Sequence, residues 1–322
     1  MKILVTGGAG FIGANFVNSL LSVTAPWQEI IVLDALTYAG NLANLKTALE
    51  NPRVRFVKGD IRDAAIVSTL MSEVDTVVHF AAESHVDRSI SNPNEFISTN
   101  VLGTNILLNA ALRSDVSKFI HVSTDEVYGS IDSGSWTEDS PISPNSPYSA
   151  SKAGSDLVAL SYFRTYGLPV IVTRCSNNYG KYQFPEKLIP LAISNLIDAK
   201  PIPIYGDGLN SRDWLDVRDH CGAISLILEG GKTGEVYNIG GGRELSNIEM
   251  ARLLLDEFGL DDSFIEYVED RKGHDRRYSV SYKKLESECG YQPKYLFEES
   301  LRETIEWYRT NEAWWRPLRS KS

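Results

Sequence analysis

Lys2-Ile3-Leu4-Val5-Thr6-Gly7-Gly8-Ala9-Gly10-Phe11-Ile12-Gly13 decides the fold of this chain. The first five residues are too short and too continuously apolar for an amphipathic helix and read as a buried strand. They run straight into a turn that satisfies both Gly-x-x-Gly-x-x-Gly and Gly-x-Gly-x-x-Gly, and apolar helical spacing follows over 11–21. Glycines in a strand-to-helix turn let the backbone approach a pyrophosphate, whose charge the free N–H groups of the helix can face. Asp34 ends the next strand, about twenty positions past the loop, where the pattern wants a carboxylate for the adenosine ribose. That charge repels a 2′-phosphate, so NAD is favoured over NADP.

Outward from this motif, short β-branched runs at 29–34, 54–58, 76–81, 118–123 and 170–174 alternate with helical stretches at 64–71, 94–113 and 148–166. Such alternation is how parallel βαβ units look in sequence, and the expected architecture is an α/β, doubly wound parallel-sheet Rossmann domain. Beyond residue 176 the rhythm breaks. Proline and glycine punctuate 200–209, 230–231 and 240–242, and the remaining helices, expected at 186–197, 247–258 and 296–309, no longer alternate with strands. A smaller, interleaved C-terminal substrate domain is therefore expected. It would comprise 177–212 and 243–322, with the Rossmann domain formed by 1–176 and return segments around 213–242. Trp314-Trp315-Arg316-Pro317 looks like a docked tail.

Composition narrows the partners. The chain has 322 residues, 43% hydrophobic and 10% aromatic, enough apolar matter for a substantial core. Its 32 basic and 42 acidic residues give a net charge of −10, which disfavours nucleic acid or an anionic membrane while leaving room for a local cationic pocket. Cys175, Cys221 and Cys289 are too few and too scattered for a disulfide framework or a zinc site, so no metal is expected. No cleavage site follows the first strand and no run of about twenty apolar residues occurs, so a soluble cytoplasmic protein is expected.

Tyr148-Ser149-Ala150-Ser151-Lys152 sets a phenol and an ammonium four residues apart, on one face of the helix expected at 148–166. A tyrosine with a pKa of about 10 is a poor base, but a neighbouring Lys⁺ and a positive nicotinamide would pull it toward neutrality. Ser123 and Thr124 stand at a strand end ahead of this pair. With the loop, they resemble the extended short-chain dehydrogenase/reductase superfamily, whose members modify nucleotide sugars.

The stretches 81–89, 121–129, 177–180 and 185–190 are similar to the dTDP-glucose 4,6-dehydratase family within it. Among them, Asp125-Glu126 discriminates. A 4-epimerase needs only oxidation and re-reduction at one carbon, whereas a dehydratase must take a proton from C5 and help a hydroxyl leave C6, which calls for two carboxyl groups in different protonation states. The catalytic set implied is Thr124, Asp125, Glu126, Tyr148 and Lys152.

The resemblance also implies the ligand contacts. For NAD these are Gly7, Gly10, Phe11, Ile12 and Gly13 at the loop, Asp34, Ala35, Leu36 and Thr37 at the ribose, and Asp60 with Ile61 at the adenine. Phe80, Ala81, Ala82, Ser84, Thr99, Tyr148, Lys152 and Asn178 complete that set. For dTDP-glucose they are Ser84, Thr124, Asn177, Lys187, Leu188, Pro203, Ile204, Tyr205, Arg212, Asn247, Arg271 and His274. Arg212 and Arg271 are the expected phosphate ligands, because a guanidinium grips phosphate bidentately. A homodimer is implied as well, pairing the apolar faces of 94–113 and 148–166. The rival readings are a UDP-sugar 4-epimerase, a UDP- or GDP-sugar dehydratase, and a non-catalytic NAD-sensing protein of the same fold.

Overall fold

Alternation along the strands assigns one set of side chains to each face of the main sheet. Ile3 and Val5 of β1 (Lys2–Thr6) and Ile30 and Val32 of β2 (Glu29–Asp34) join one apolar core; Leu4, Ile31 and Leu33 join the other. Strands buried on both faces must be covered by helices on both faces, which is the doubly wound arrangement. The computed structural model describes residues 1–22 and 27–319. The last three residues of the expected second unit therefore lie outside the described residues.

Four more strands follow in chain order: β3 (Val54–Lys58), β4 (Thr76–His79), β5 (Lys118–Thr124) and β6 (Val170–Cys175). All pair in parallel, and the sheet runs β6-β5-β4-β1-β2-β3. A seventh strand, Val236–Ile239, pairs parallel to β6 at the far edge. The sequence reading did not name it as a strand, because Val-Tyr-Asn-Ile is short and sits between glycine-rich turns. The helix that feeds it, Val217–Gly230, brings Val217, Cys221, Ile224 and Ile227 into the first core beside Phe16 and Val17 of α1 (Phe11–Ser22). The chain reverses its winding between β1 and β4, so a crevice opens at their carboxyl ends, where ligands bind in such sheets.

Two helices frame that crevice. One is a continuous helical run from Pro93 to Arg113 whose middle, Ile97–Gly103, is a π-helix. The other is α2 (Pro147–Tyr166). Ser146 caps α2 in a capping box with Ser149, Pro147 occupies the first turn, and Gly167 closes it in the left-handed conformation. These end signals fix where the helix starts, and so fix the direction of its first-turn Tyr148.

A third core lies in the later part of the chain. Helices Leu188–Ile197, Asn247–Phe258 and Phe297–Thr310 pack through Ile193, Leu254, Leu301 and Tyr308, beside a three-stranded and a two-stranded sheet. The expected docked tail is the helix Glu312–Arg319, with Trp315 wholly buried in this core. Its neighbour Trp314 donates from Nε1 to Asn44 Oδ1 (2.8 Å), and Asn44 Nδ2 donates to the carbonyl of Ala9 in the glycine loop (2.9 Å). Among the described residues no helix is long and apolar enough to cross a membrane, and no cluster of potential metal ligands occurs.

Candidate active site

The crevice holds a cavity of about 310 Å³ that runs from the glycine loop past Asp34 and Asp60 to Thr124, Tyr148 and Lys187. Two of the loop glycines are demanded by packing. A Cβ on Gly7, whose φ is +69°, would stand 2.6 Å from the Ala81 nitrogen, and one on Gly13 would stand 2.3 Å from the Gly7 carbonyl oxygen. Gly10 is different: its added Cβ would meet only the Gly7 oxygen, at 3.2 Å, and otherwise faces the cleft. That is the bare backbone a pyrophosphate would approach, so the residues present fit a dinucleotide.

Asp34 is buried, and its two carboxylate oxygens accept from the backbone N–H groups of Ala9 (2.9 Å) and Leu36 (2.8 Å). It thereby ties the loop to the end of β2 while keeping lone pairs for ribose hydroxyls. Burial raises its pKa despite these two bonds. Asp60 also lines the cleft, but Arg62 binds its carboxylate bidentately, and that pairing lowers its pKa.

At the other end of the cleft, Thr124 closes β5 and caps the 3₁₀ turn Asp125–Tyr128, accepting from the Glu126 N–H at 3.3 Å. Thr124 and Tyr148 both line the cleft, and Thr124 is a polar neighbour of the phenol. The Tyr148–Lys152 reading needs one correction. Lys152 is buried and donates from Nζ to the Val122 carbonyl at 2.8 Å, and burial lowers its pKa to about 8. Burial pushes the Tyr148 phenol well above its usual value, and Glu126, Cys175 and Asp125 push it further. The protein alone therefore holds Tyr148 as a neutral phenol; the positive charge that would release its proton has to arrive with the cofactor.

Asp125 and Glu126 occupy unlike surroundings. Asp125 is 2% exposed, and burial, then Glu126 and Asp213, raise its pKa well above the carboxylate range; its Oδ2 has no hydrogen-bond partner. Burial also raises Glu126, but Arg271, Lys187 and Arg212 oppose the shift. Both carboxyls are raised by burial, but acids reinforce the shift at Asp125 while three cations oppose it at Glu126.

All three cations come from the later part of the chain. Arg212 is buried, stacks on Tyr278 at 4.4 Å and donates to the Asp275 carbonyl at 3.0 Å. Arg271 keeps its Nε buried and without a partner. Asn177 presents a buried Oδ1 without a partner to the cleft, whereas the side-chain amide of Asn178 is used on the Ser176 carbonyl (2.9 Å) and on His220 (2.8 Å).

Comparison with known proteins gives the lineage. The family described as GDP-mannose 4,6 dehydratase matches residues 4–304. A dTDP-glucose 4,6-dehydratase of Streptomyces antibioticus is 58% identical over 100% of this chain and 96% of its own length, and one of an Actinoplanes strain is 56% identical over 98% and 100%. The crystal structure of a dTDP-glucose 4,6-dehydratase from Streptomyces venezuelae, with NAD and TYD bound, is 58% identical, covers 99% of this chain and 100% of its own, and superposes with a TM-score of 0.98. The chain belongs to the dTDP-glucose 4,6-dehydratase family.

For a member of this dehydratase family, the structure gathers the expected residues unevenly. All five expected catalytic residues line the one cleft, with the expected cofactor residues except Leu36, which packs against the first core. On the substrate side Ser84, Thr124, Asn177 and Lys187 line it too. Leu188, Pro203, Ile204, Tyr205, Arg212, Asn247, Arg271 and His274 stand outside that wall; the Ile204 side chain is buried in the third core, while Arg212 and Arg271 oppose the burial shift of Glu126. Tyr38, Cys175, Gln183, Phe184 and Glu186 line the cleft without having been singled out. The run Pro185-Glu186-Lys187 was the available signal for Glu186, since it lies inside a stretch that carried the resemblance.

Proposed function

We propose that this chain converts dTDP-glucose into dTDP-4-keto-6-deoxyglucose and water. One observation carries the reading: adjacent carboxyl groups, Asp125 and Glu126, stand beside Thr124 and Tyr148 in unlike surroundings, burial raising both, with neighbouring acids reinforcing the shift at Asp125 and three cations opposing it at Glu126. An epimerase has no task for such a pair.

Thr124 and Tyr148 hold the C4 hydroxyl, and Tyr148 takes its proton. When bound, NAD accepts a hydride from C4 and returns it to C6 later in the same turnover, so no net oxidation occurs. Lys152 anchors the nicotinamide ribose and adds positive charge beneath it. The C4 ketone acidifies the C5 proton, which Glu126 removes through an enolate-like state. Asp125, kept protonated, gives its proton to the departing C6 hydroxyl, and water leaves. Glu126 then returns a proton to C5. The sugar nucleotide's diphosphate is held by Arg212, Arg271 and Lys187, the charges that also bias Glu126.

The same reading divides the chain into the NAD-binding sheet unit and a nucleotide-sugar cap built on the third core. It also places the enzyme in the cytoplasm as a homodimer. In support of pairing, Ile97, Leu102, Leu157 and Tyr166 are exposed along the two helical runs that frame the cleft.

The test is incubation of the purified protein with dTDP-glucose and, separately, with UDP-glucose, without added NAD. The 4-keto-6-deoxy product from dTDP-glucose is expected. Turnover of UDP-glucose alone would overturn the base assignment, and accumulation of a 4-epimer would overturn the reaction class.

A further inference from the structure

Three segments from distant parts of the chain meet over the middle of the cleft. Residues 37–40 follow β2, residues 83–88 follow β4, and residues 183–187 precede the helix Leu188–Ile197; members of all three line the cavity. They meet at Tyr38. The Arg88 guanidinium lies 3.9 Å from the centre of the Tyr38 ring, and Phe184 meets the same ring edge-on at 5.5 Å. Ser84 and Glu186 are the polar neighbours of the phenol. Glu186, itself only 7% exposed, also faces Arg88 at 3.6 Å and His85 Nε2 at 3.5 Å, and Lys187 Nζ donates to the Ser84 carbonyl at 3.1 Å.

None of these groups is needed for acid–base work at C4, C5 or C6. Tyr38 is a phenol whose pKa burial raises, and it lines the cleft together with Asp34 and Ser84. We infer that Tyr38, Arg88 and Glu186 form a clasp across the cleft that retains NAD through the whole catalytic cycle. This rests on the reaction proposed above, which requires one cofactor molecule to be oxidant and reductant for the same sugar. A cofactor that left after C4 oxidation would strand a ketone without its reductant. The clasp opposes that loss because release must part a cation–π stack and the Arg88–Glu186 ion pair within a partly dry site, where each is stronger than in water.

The experiment measures NAD dissociation from the purified full-length protein with labelled NAD chased by excess unlabelled NAD, with no sugar present. Tyr38→Ala and Arg88→Ala are each expected to speed release about tenfold or more, the factor that corresponds to losing one desolvated cation–π contact. Tyr38→Phe keeps the stack and loses only the hydroxyl, so its release rate should fall between wild type and Tyr38→Ala. With dTDP-glucose, Tyr38→Ala should lose turnover on dilution and regain it when NAD is added. Circular dichroism and melting temperature show that each variant is folded, and Arg88→Lys gives a second variant that keeps the charge. Release at the wild-type rate from folded Tyr38→Ala and Arg88→Ala would overturn the clasp and leave the dehydratase reading intact. Failure of the wild-type protein to hold NAD would overturn both.

Discussion

Lys152 Nζ hydrogen-bonds the Val122 carbonyl, not the Tyr148 phenol, although the two side chains stand one helical turn apart. The lysine therefore spends one of its three donors on β5 and is held at a fixed depth below the reacting groups. Its charge is expensive there: burial brings its pKa down to about 8. Because the folded value lies below the unfolded one, the folded state binds fewer protons between the two, and this group adds stability as pH rises through that window. Activity should move the other way. In the proposed mechanism the cation anchors the ribose and favours the phenolate, so kcat/KM should fall as pH rises past about 8. Lys152→Met should remove that limb and lower kcat/KM by about a hundredfold or more at pH 7. A pH profile of each protein checks both.

The catalytic groups should separate by step. Tyr148→Phe removes the group proposed to take the C4 proton, and turnover should fall by about 10²–10⁴ with no reduced cofactor formed. Asp125→Asn and Glu126→Gln leave Thr124 and Tyr148 in place, so a burst of reduced cofactor should appear while product formation slows by a similar factor. Rapid-mixing absorbance on one sample and product analysis on another distinguish the two patterns. Full turnover by Glu126→Gln at the wild-type rate would show that the base is another residue.

Asp34→Asn tests the tie between the glycine loop and β2. An amide keeps the size, but one of its ends is an NH₂ that must face a backbone N–H where the carboxylate accepted from Ala9 and Leu36. Leaving a buried donor unpaired should cost about 1–3 kcal/mol, read as a lower midpoint in denaturant titration. NAD affinity should fall as well, and discrimination against NADP should narrow, because the negative charge is gone. Equilibrium titrations with both cofactors check this.

Gly10 and Gly13 should fail differently. Gly13→Ala drives a methyl onto the Gly7 backbone and should yield little folded protein. Gly10→Ala has only one contact to strain and should fold, with NAD binding weakened because the methyl occupies the face a phosphate approaches. Yield, melting temperature and NAD titration of the two variants provide the comparison.

The main sheet was legible because its strands are buried on both faces and each ends in a chemically marked turn. Six were readable to within two residues, and helix 64–71 lies at the residues expected. Strand Val236–Ile239 was not, since four residues amid glycine carry too little pattern and pair only through contacts distant in sequence. The glycine loop, Asp34 and the Tyr148–Lys152 spacing announced themselves because their chemistry depends on local spacing. The state of Tyr148 was not legible: its phenol is governed by Glu126, Cys175 and Asp125, which only the tertiary fold brings near. Tyr38 was missed for a similar reason, for a tyrosine after a strand means nothing until Arg88 lies over its ring.

The bond from Trp314 to Asn44, and from Asn44 to the carbonyl of Ala9, ties the last described helix to the first turn of the chain. A ribosome makes the phosphate loop first and this prop for it last. The loop's surroundings are complete only once synthesis has passed residue 314, so any shorter nascent chain carries the dinucleotide signature without the full support that shapes it.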